Sequence, residues 1–94
     1  MKTTRQNNAE MFTNTSKKMR TWLNSLIRRR QSGTVTADDI HTYLDRQGVS
    51  PREVRTRLRF INSMFGSGEF VPVGYSRSTR PVARGRTITE WTTL

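Results

Sequence analysis

Val35-Thr36-Ala37-Asp38-Asp39-Ile40-His41-Thr42-Tyr43-Leu44-Asp45-Arg46-Gln47-Gly48-Val49-Ser50-Pro51-Arg52-Glu53-Val54 is the stretch on which the fold turns. It holds two helix-start signals of the same form. In the first, Thr36 is the N-cap and Asp39 lies three residues on, with Val35 and Ile40 flanking the cap as a hydrophobic staple. In the second, Ser50 caps and Pro51 takes the first helical position. Glu53 closes the box, and Val49 staples to Val54. Helix two is therefore expected over 37–47, with Ile40, Tyr43 and Leu44 inward and Gly48 as its stop. Helix three is expected over 51–64, with Val54, Leu58, Ile61 and Phe65 on one buried line. Only Gly48, Val49 and Ser50 would then separate them. Two helices joined by so short a connector containing Gly form a helix-turn-helix pattern.

The outward face of helix three carries the chemistry. With Val54 at zero, Arg55, Arg59 and Arg52 fall at about 100–160° round the helix, with Asn62, Ser63 and Thr56 beside them. Arginine forks onto guanine, asparagine onto adenine, and hydroxyls onto either, so these are base-reading side chains. Arg52, Arg55, Thr56, Arg59 and Asn62 are the candidate readers, and Ser63 is a backbone contact. Arg57 falls at about −60°, beside the core, where it is expected to reach a phosphate or pair with Glu53. A merely solvated helix face mixes both charge signs. This one has four arginines and a single glutamate used as a cap.

Upstream, residues 16–30 read as helix one. Met19, Trp22, Leu23, Leu26 and Ile27 form its apolar stripe, and Gly33 lies just past its end. Arg28, Arg29 and Arg30 sit in its last turn, where cations suit the helix dipole. Residues 1–15 are polar and read as a flexible arm, with Met11 and Phe12 its bulky apolar residues after Met1. The domain proper is expected over 16–94.

Downstream, the period changes. Strands are expected at 69–75 and 86–91, joined by a long loop over 76–85. Pro72 lacks a ladder donor and must sit at an edge or bulge. Thr34-Val35 can add a short third strand. Arg77, Arg80, Arg84 and Arg86 in and beside the loop meet no acid there and suit phosphates or a minor groove.

Composition agrees with a single small basic domain. The chain has 94 residues, with 17 Lys+Arg against 7 Asp+Glu, a net charge of +10. No lysine follows Lys18, and arginine is the better fork for phosphate and guanine. There is no cysteine, which excludes disulfides, thiolate catalysis and Cys-ligated zinc. No apolar run approaches the roughly 20 residues of a membrane span, and no secretory signal opens the chain. A cytoplasmic protein is expected, nucleoid-associated if bacterial.

From Ser16 to Trp91, the order helix, short strand, helix, three-residue turn, helix, hairpin resembles the winged helix-turn-helix family of DNA-binding domains. The residues that carry the resemblance are Val35-Thr36, Leu44, Gly48-Val49-Ser50, Val54, Leu58 and Ile61, then Phe70-Val71, Thr87-Ile88 and Trp91. It implies an α+β fold of three helices and a two-stranded wing. It implies a third helix in the major groove, through Arg52, Arg55, Thr56, Arg59 and Asn62. It implies a wing on backbone or minor groove, through Arg77, Arg80 and Arg84. The wing is longer than is common in the family, and Pro72 interrupts its first strand. The small size and basic bias resemble regulators of phages or other mobile elements.

The expected partner is double-stranded DNA, with no cofactor and no metal. Catalysis is not expected. His41 with Asp45 makes a poor site without a third ligand, Asp39 serves a cap, and no Gly-x-Ser-x-Gly motif occurs. The alternative is an adaptor that docks on an acidic host protein through Trp22, Phe60 or Trp91, if these are exposed.

Overall fold

In the computed structural model the backbone is described over residues 4–93 and side chains over 14–93. Three helices precede a two-stranded antiparallel hairpin: α1 (Thr4–Arg29), α2 (Ala37–Arg46), α3 (Val54–Phe65), β1 (Phe70–Arg77) and β2 (Thr87–Thr93). This is the α+β topology of a winged helix-turn-helix.

The first helix is longer than its apolar stripe suggests. Helix begins at Thr4, within the stretch expected as an arm. Nothing between Thr4 and Arg29 is Gly or Pro, and each added residue extends the ladder by one hydrogen bond. Residues 1–3 and the side chains of Met11 and Phe12 lie outside the described residues.

α2 starts as its sequence prescribes. Thr36 is the N-cap, its hydroxyl accepts from the Asp38 amide at 3.2 Å, and the Asp39 carboxylate accepts from the Thr36 amide at 2.8 Å. It ends in a Schellman motif. The Val49 amide donates to the Leu44 carbonyl at 3.0 Å and the Gly48 amide to the Asp45 carbonyl at 3.1 Å. Gly48 sits at φ +80°, which a side chain would strain.

α3 departs from expectation at its start and in its rotation. It begins at Val54, not Pro51, and the Ser50 capping box does not form. Instead the Ser50 hydroxyl accepts from the Arg52 amide at 3.1 Å, and the Ser50 carbonyl from the Glu53 amide at 3.0 Å. Glu53, at φ −79° and ψ 62°, makes an inverse γ-turn that breaks the ladder before Val54. The connector between α2 and α3 therefore runs over 47–53 rather than 48–50.

The buried face of α3 is Arg57, Phe60, Met64 and Phe65, with Val54 58% and Leu58 50% exposed. Relative to the expected line of Val54, Leu58, Ile61 and Phe65, the helix is turned by roughly 75°. Its own inward arginine explains the rotation. Arg57 is 2% exposed and donates into the α2–α3 connector, so the helix presents that side to the core.

The core is Met19 and Leu23 of α1, Val35, Ile40 and Leu44 around α2, Phe60, Met64 and Phe65 of α3, and Phe70 of β1. Phe65 ties the layers together. It stacks on Trp91 at 4.8 Å and meets Phe70 edge-on at 5.6 Å. The expected third strand is a single bridge, in which the Val35 and Trp91 amides each donate to the other's carbonyl at 2.8 Å. Pro72 does mark a bulge. The register steps from Pro72 opposite Trp91 to Gly74 opposite Glu90, leaving Val73 unpaired and exposed.

Candidate nucleic-acid interface

At the tip β1 runs two residues further than expected, to Arg77, while β2 starts one residue later, at Thr87, and the remaining loop is anchored. Ser78 closes it by donating its amide to the Arg86 carbonyl at 2.8 Å, and Pro81–Ala83 form a 3₁₀ turn. Asp38 holds the loop from below. Its carboxylate accepts from the Ser78 hydroxyl at 2.8 and 3.0 Å and from the Thr79 amide at 2.8 Å. One acid in the first turn of α2 thus docks the wing on the helical layer. Nothing in the spacing of Asp38 and Ser78, forty residues apart, signals this pairing.

The docked loop lies along α3. Val54, Leu58 and Ile61 of α3 share a cleft with Arg80, Val82, Arg86 and Ile88 of the hairpin. Arg55 and Arg59 follow Leu58 round the helix by about 60–100°, so they stand on the far side of Leu58 from the core. The rotation of α3 leaves the expected reading face outward. Arg52, Arg55, Arg59, Asn62 and Ser63 are exposed, and Thr56 is half-buried with its hydroxyl donating to the Glu53 carboxylate at 3.3 Å. On the hairpin Arg77, Arg84 and Arg86 are exposed. Arg84 occupies the left-handed region at φ 50°, ahead of Gly85.

Two of the candidate arginines are placed differently. Arg57 is buried, and a phosphate contact from it is replaced by a structural one. Its guanidinium donates to the Asp45 carboxylate at 2.6 Å, the Val49 carbonyl at 2.7 Å and the Ser50 carbonyl at 3.3 Å. It also donates to Nδ1 of His41 at 3.1 Å. Guanidinium has no acceptor, so Nδ1 must be the acceptor and His41 neutral, with its proton on Nε2. Arg57 pairs with Asp45, not Glu53. Arg80 is 22% exposed and lies 3.6 Å from the same carboxylate.

This cluster sets two titrations. The hydrogen bond from Arg57, with the charge of Arg80, holds the Asp45 carboxyl below its usual range. Burial, then the charges of Arg80 and Arg57, push His41 down, outweighing Asp38 and Asp45. His41 and Asp45 do share a site, as their spacing suggests, but its centre is an arginine. Among the described residues no group of three His, Asp or Glu is placed to hold a metal.

Charge pairing divides the arginines. Arg20 pairs with Glu69 at 2.9 Å, Arg30 with Asp39 at 2.7 Å, and Arg57 with Asp45. Arg30 grips both Asp39 oxygens, so part of the Arg28–Arg30 run is structural, linking α1 to α2. No described carboxylate lies in ion-pair range of Arg52, Arg55, Arg77, Arg84 or Arg86. One group of cations without carboxylate partners thus stands on α3, the connector before it and the hairpin; Arg28, Arg29 and Arg46, at the ends of α1 and α2, have none either.

The three aromatic anchors do not form a surface. Phe60 is 6% exposed, and Trp91 packs against Phe65. Trp22 packs against Tyr43 at 5.3 Å, with Arg46 over its ring. The exposed apolar residues are instead Val54, Leu58, Val73, Tyr75 and Val82.

No family model, curated protein or solved structure matches this chain.

Proposed function

We propose that the chain is a duplex-DNA-binding protein, a small transcriptional regulator or organiser of a DNA complex. α3 would enter the major groove and the hairpin loop would meet backbone or minor groove. The observation that carries this reading is the division of the charge. Arg20, Arg30, Arg57 and Arg80 lie against carboxylates, and Arg28, Arg29 and Arg46 sit in or beside the last turns of α1 and α2, whereas Arg52, Arg55, Arg77, Arg84 and Arg86 face solvent without a carboxylate on α3, the connector before it and the hairpin. A helix fits the major groove, and its N-terminal residues make most base contacts. Arg55, Thr56, Arg59 and Asn62 fill that role on α3, with Arg52 added from the connector just before it. Arg77, Arg84 and Arg86 fill the positioning role, with Arg80 at its edge and Ser63 toward the C-terminal end of α3. Arg57 is left out, because it holds the helix itself. The protein acts by binding, without a catalytic step.

The test is a comparison of two variants on a site recovered by in vitro selection and on random duplex. Arg55→Ala should weaken the selected site by about 1–3 kcal/mol and random duplex much less. Arg84→Gly, which fits the left-handed backbone, should weaken both alike. Equal losses for both variants on both duplexes would refute the division between reading helix and positioning wing.

A further inference from the structure

Val54, Leu58 and Val82 are three of the five large apolar side chains exposed among the described residues, and all three border the cleft between α3 and the hairpin loop. Val82 is 79% exposed on the 3₁₀ turn, and Leu58 is 50% exposed opposite it. The cleft has a volume of about 380 Å³, with Ile61 and Ile88 also lining it. That lies at the small end of ligand-sized pockets, about 300–1,000 Å³, and holds side chains rather than a folded domain.

Its polar rim is net basic, with Arg80 and Arg86 against the single carboxylate of Asp38. Arg86 meets no described carboxylate, and Arg80 has only Asp45 at 3.6 Å. The cleft's own acid, Asp38, is engaged by Ser78 and Thr79. His41 is held neutral by burial and the neighbouring arginines. An apolar slot edged by Arg86, which has no described carboxylate, and by Arg80, which has one at 3.6 Å, therefore complements an apolar side chain flanked by carboxylates. Duplex DNA complements it poorly. Phosphates and base edges are polar, and the thymine methyl is the one apolar group in the major groove.

We infer that this cleft docks a short acidic segment of a partner protein. An apolar side chain of the segment enters between Leu58 and Val82, and its neighbouring carboxylates meet Arg80 and Arg86. The occupant is recognised by apolar burial for affinity and by the arginines for sign, the usual division at such sites. The inference stands on the cleft alone and does not require that the chain bind DNA.

The experiment presents the full chain to a displayed library of random dodecapeptides. A recovered peptide is then synthesised with a fluorescent label and titrated by anisotropy. Recovered sequences should place Leu, Ile or Phe beside Asp or Glu. Leu58→Gln should weaken the labelled peptide about tenfold, since it removes most of one buried apolar side chain. Arg86→Gln should weaken it as well. Tyr75→Ser, which alters an exposed residue outside the cleft, should leave it unchanged. Leu58 is half-exposed, so the folded state should persist, and a circular-dichroism melt of each variant confirms it. Recovery of no peptide, peptides without acidic residues, or binding untouched by Leu58→Gln would each overturn the inference. So would a tenfold loss of duplex affinity in Leu58→Gln with no peptide bound, which would assign the cleft to the nucleic acid. Peptide binding without duplex binding would support this inference and defeat the DNA reading.

Discussion

Arg57 shows how one side chain can redirect a helix. It is 2% exposed and answers two carbonyls of the α2–α3 connector, one carboxylate and one imidazole. Arg57→Met would keep much of the volume but strand the Val49 carbonyl. We expect a loss of about 2–4 kcal/mol in urea unfolding, and a loss below about 1 kcal/mol would show the network to be incidental. His41 in the same cluster gives a pH signature. The unfolded chain takes up a proton near 6.5, whereas the folded chain does so only at lower pH. Below 6.5 the unfolded state then binds more protons, so acid favours unfolding. Stability should be full above that value, fall as pH drops through it, and level off once folded His41 is protonated. Melting temperatures of the native chain should fall from about pH 8 to about pH 5, and His41→Gln should flatten that fall. A native curve no steeper than that of His41→Gln would contradict the assignment.

At the scale of elements, some signals were local and others were not. The Thr36–Asp39 box and the Gly48 stop lie within α2 and its caps, and both form as the sequence states. Pro72 acts through its missing donor, and the bulge follows. The start of α3 was not legible, although Ser50, Pro51 and Glu53 make a complete local signal. Arg57 reaches back to the Ser50 carbonyl, the first that a helix capped at Ser50 would use, and to the Val49 carbonyl before it. The rotation was hidden for the same reason. Val54 and Leu58 read as inward because nothing local reveals that Arg57 has matched partners on α2. The outward face of α3 survived the error, because Arg55, Arg59 and Asn62 lie far enough round the helix to stay exposed. The wing anchor is likewise a long-range pairing. Asp38→Ala should release Ser78 and Thr79, and limited trypsin cleavage after Arg77 or Arg84 should become faster with α2 still folded. Unchanged cleavage would mean that the loop is held by its own turn.

At the scale of the molecule, two groups of arginines stand out within a net charge of +10. One part is internal wiring: Arg20 to Glu69 at the start of β1, Arg30 to Asp39, and Arg57 to Asp45. The other is Arg52, Arg55, Arg77, Arg84 and Arg86, on the connector, α3 and the hairpin, without carboxylate partners among the described residues. The exposed apolar residues Val54, Leu58 and Val82 line the cleft between α3 and the hairpin loop beside Arg80 and Arg86. Of the aromatic residues offered as anchors, Phe60 is core, and Trp22 and Trp91 are half-buried against it. The central claim is that the unpaired arginines bind the phosphates of duplex DNA. It is tested most directly by equilibrium binding of the full chain to random duplex over a range of salt concentrations. With about five to eight phosphate contacts, log affinity should fall against log salt with a slope near −5 to −7. A slope near zero would contradict the account.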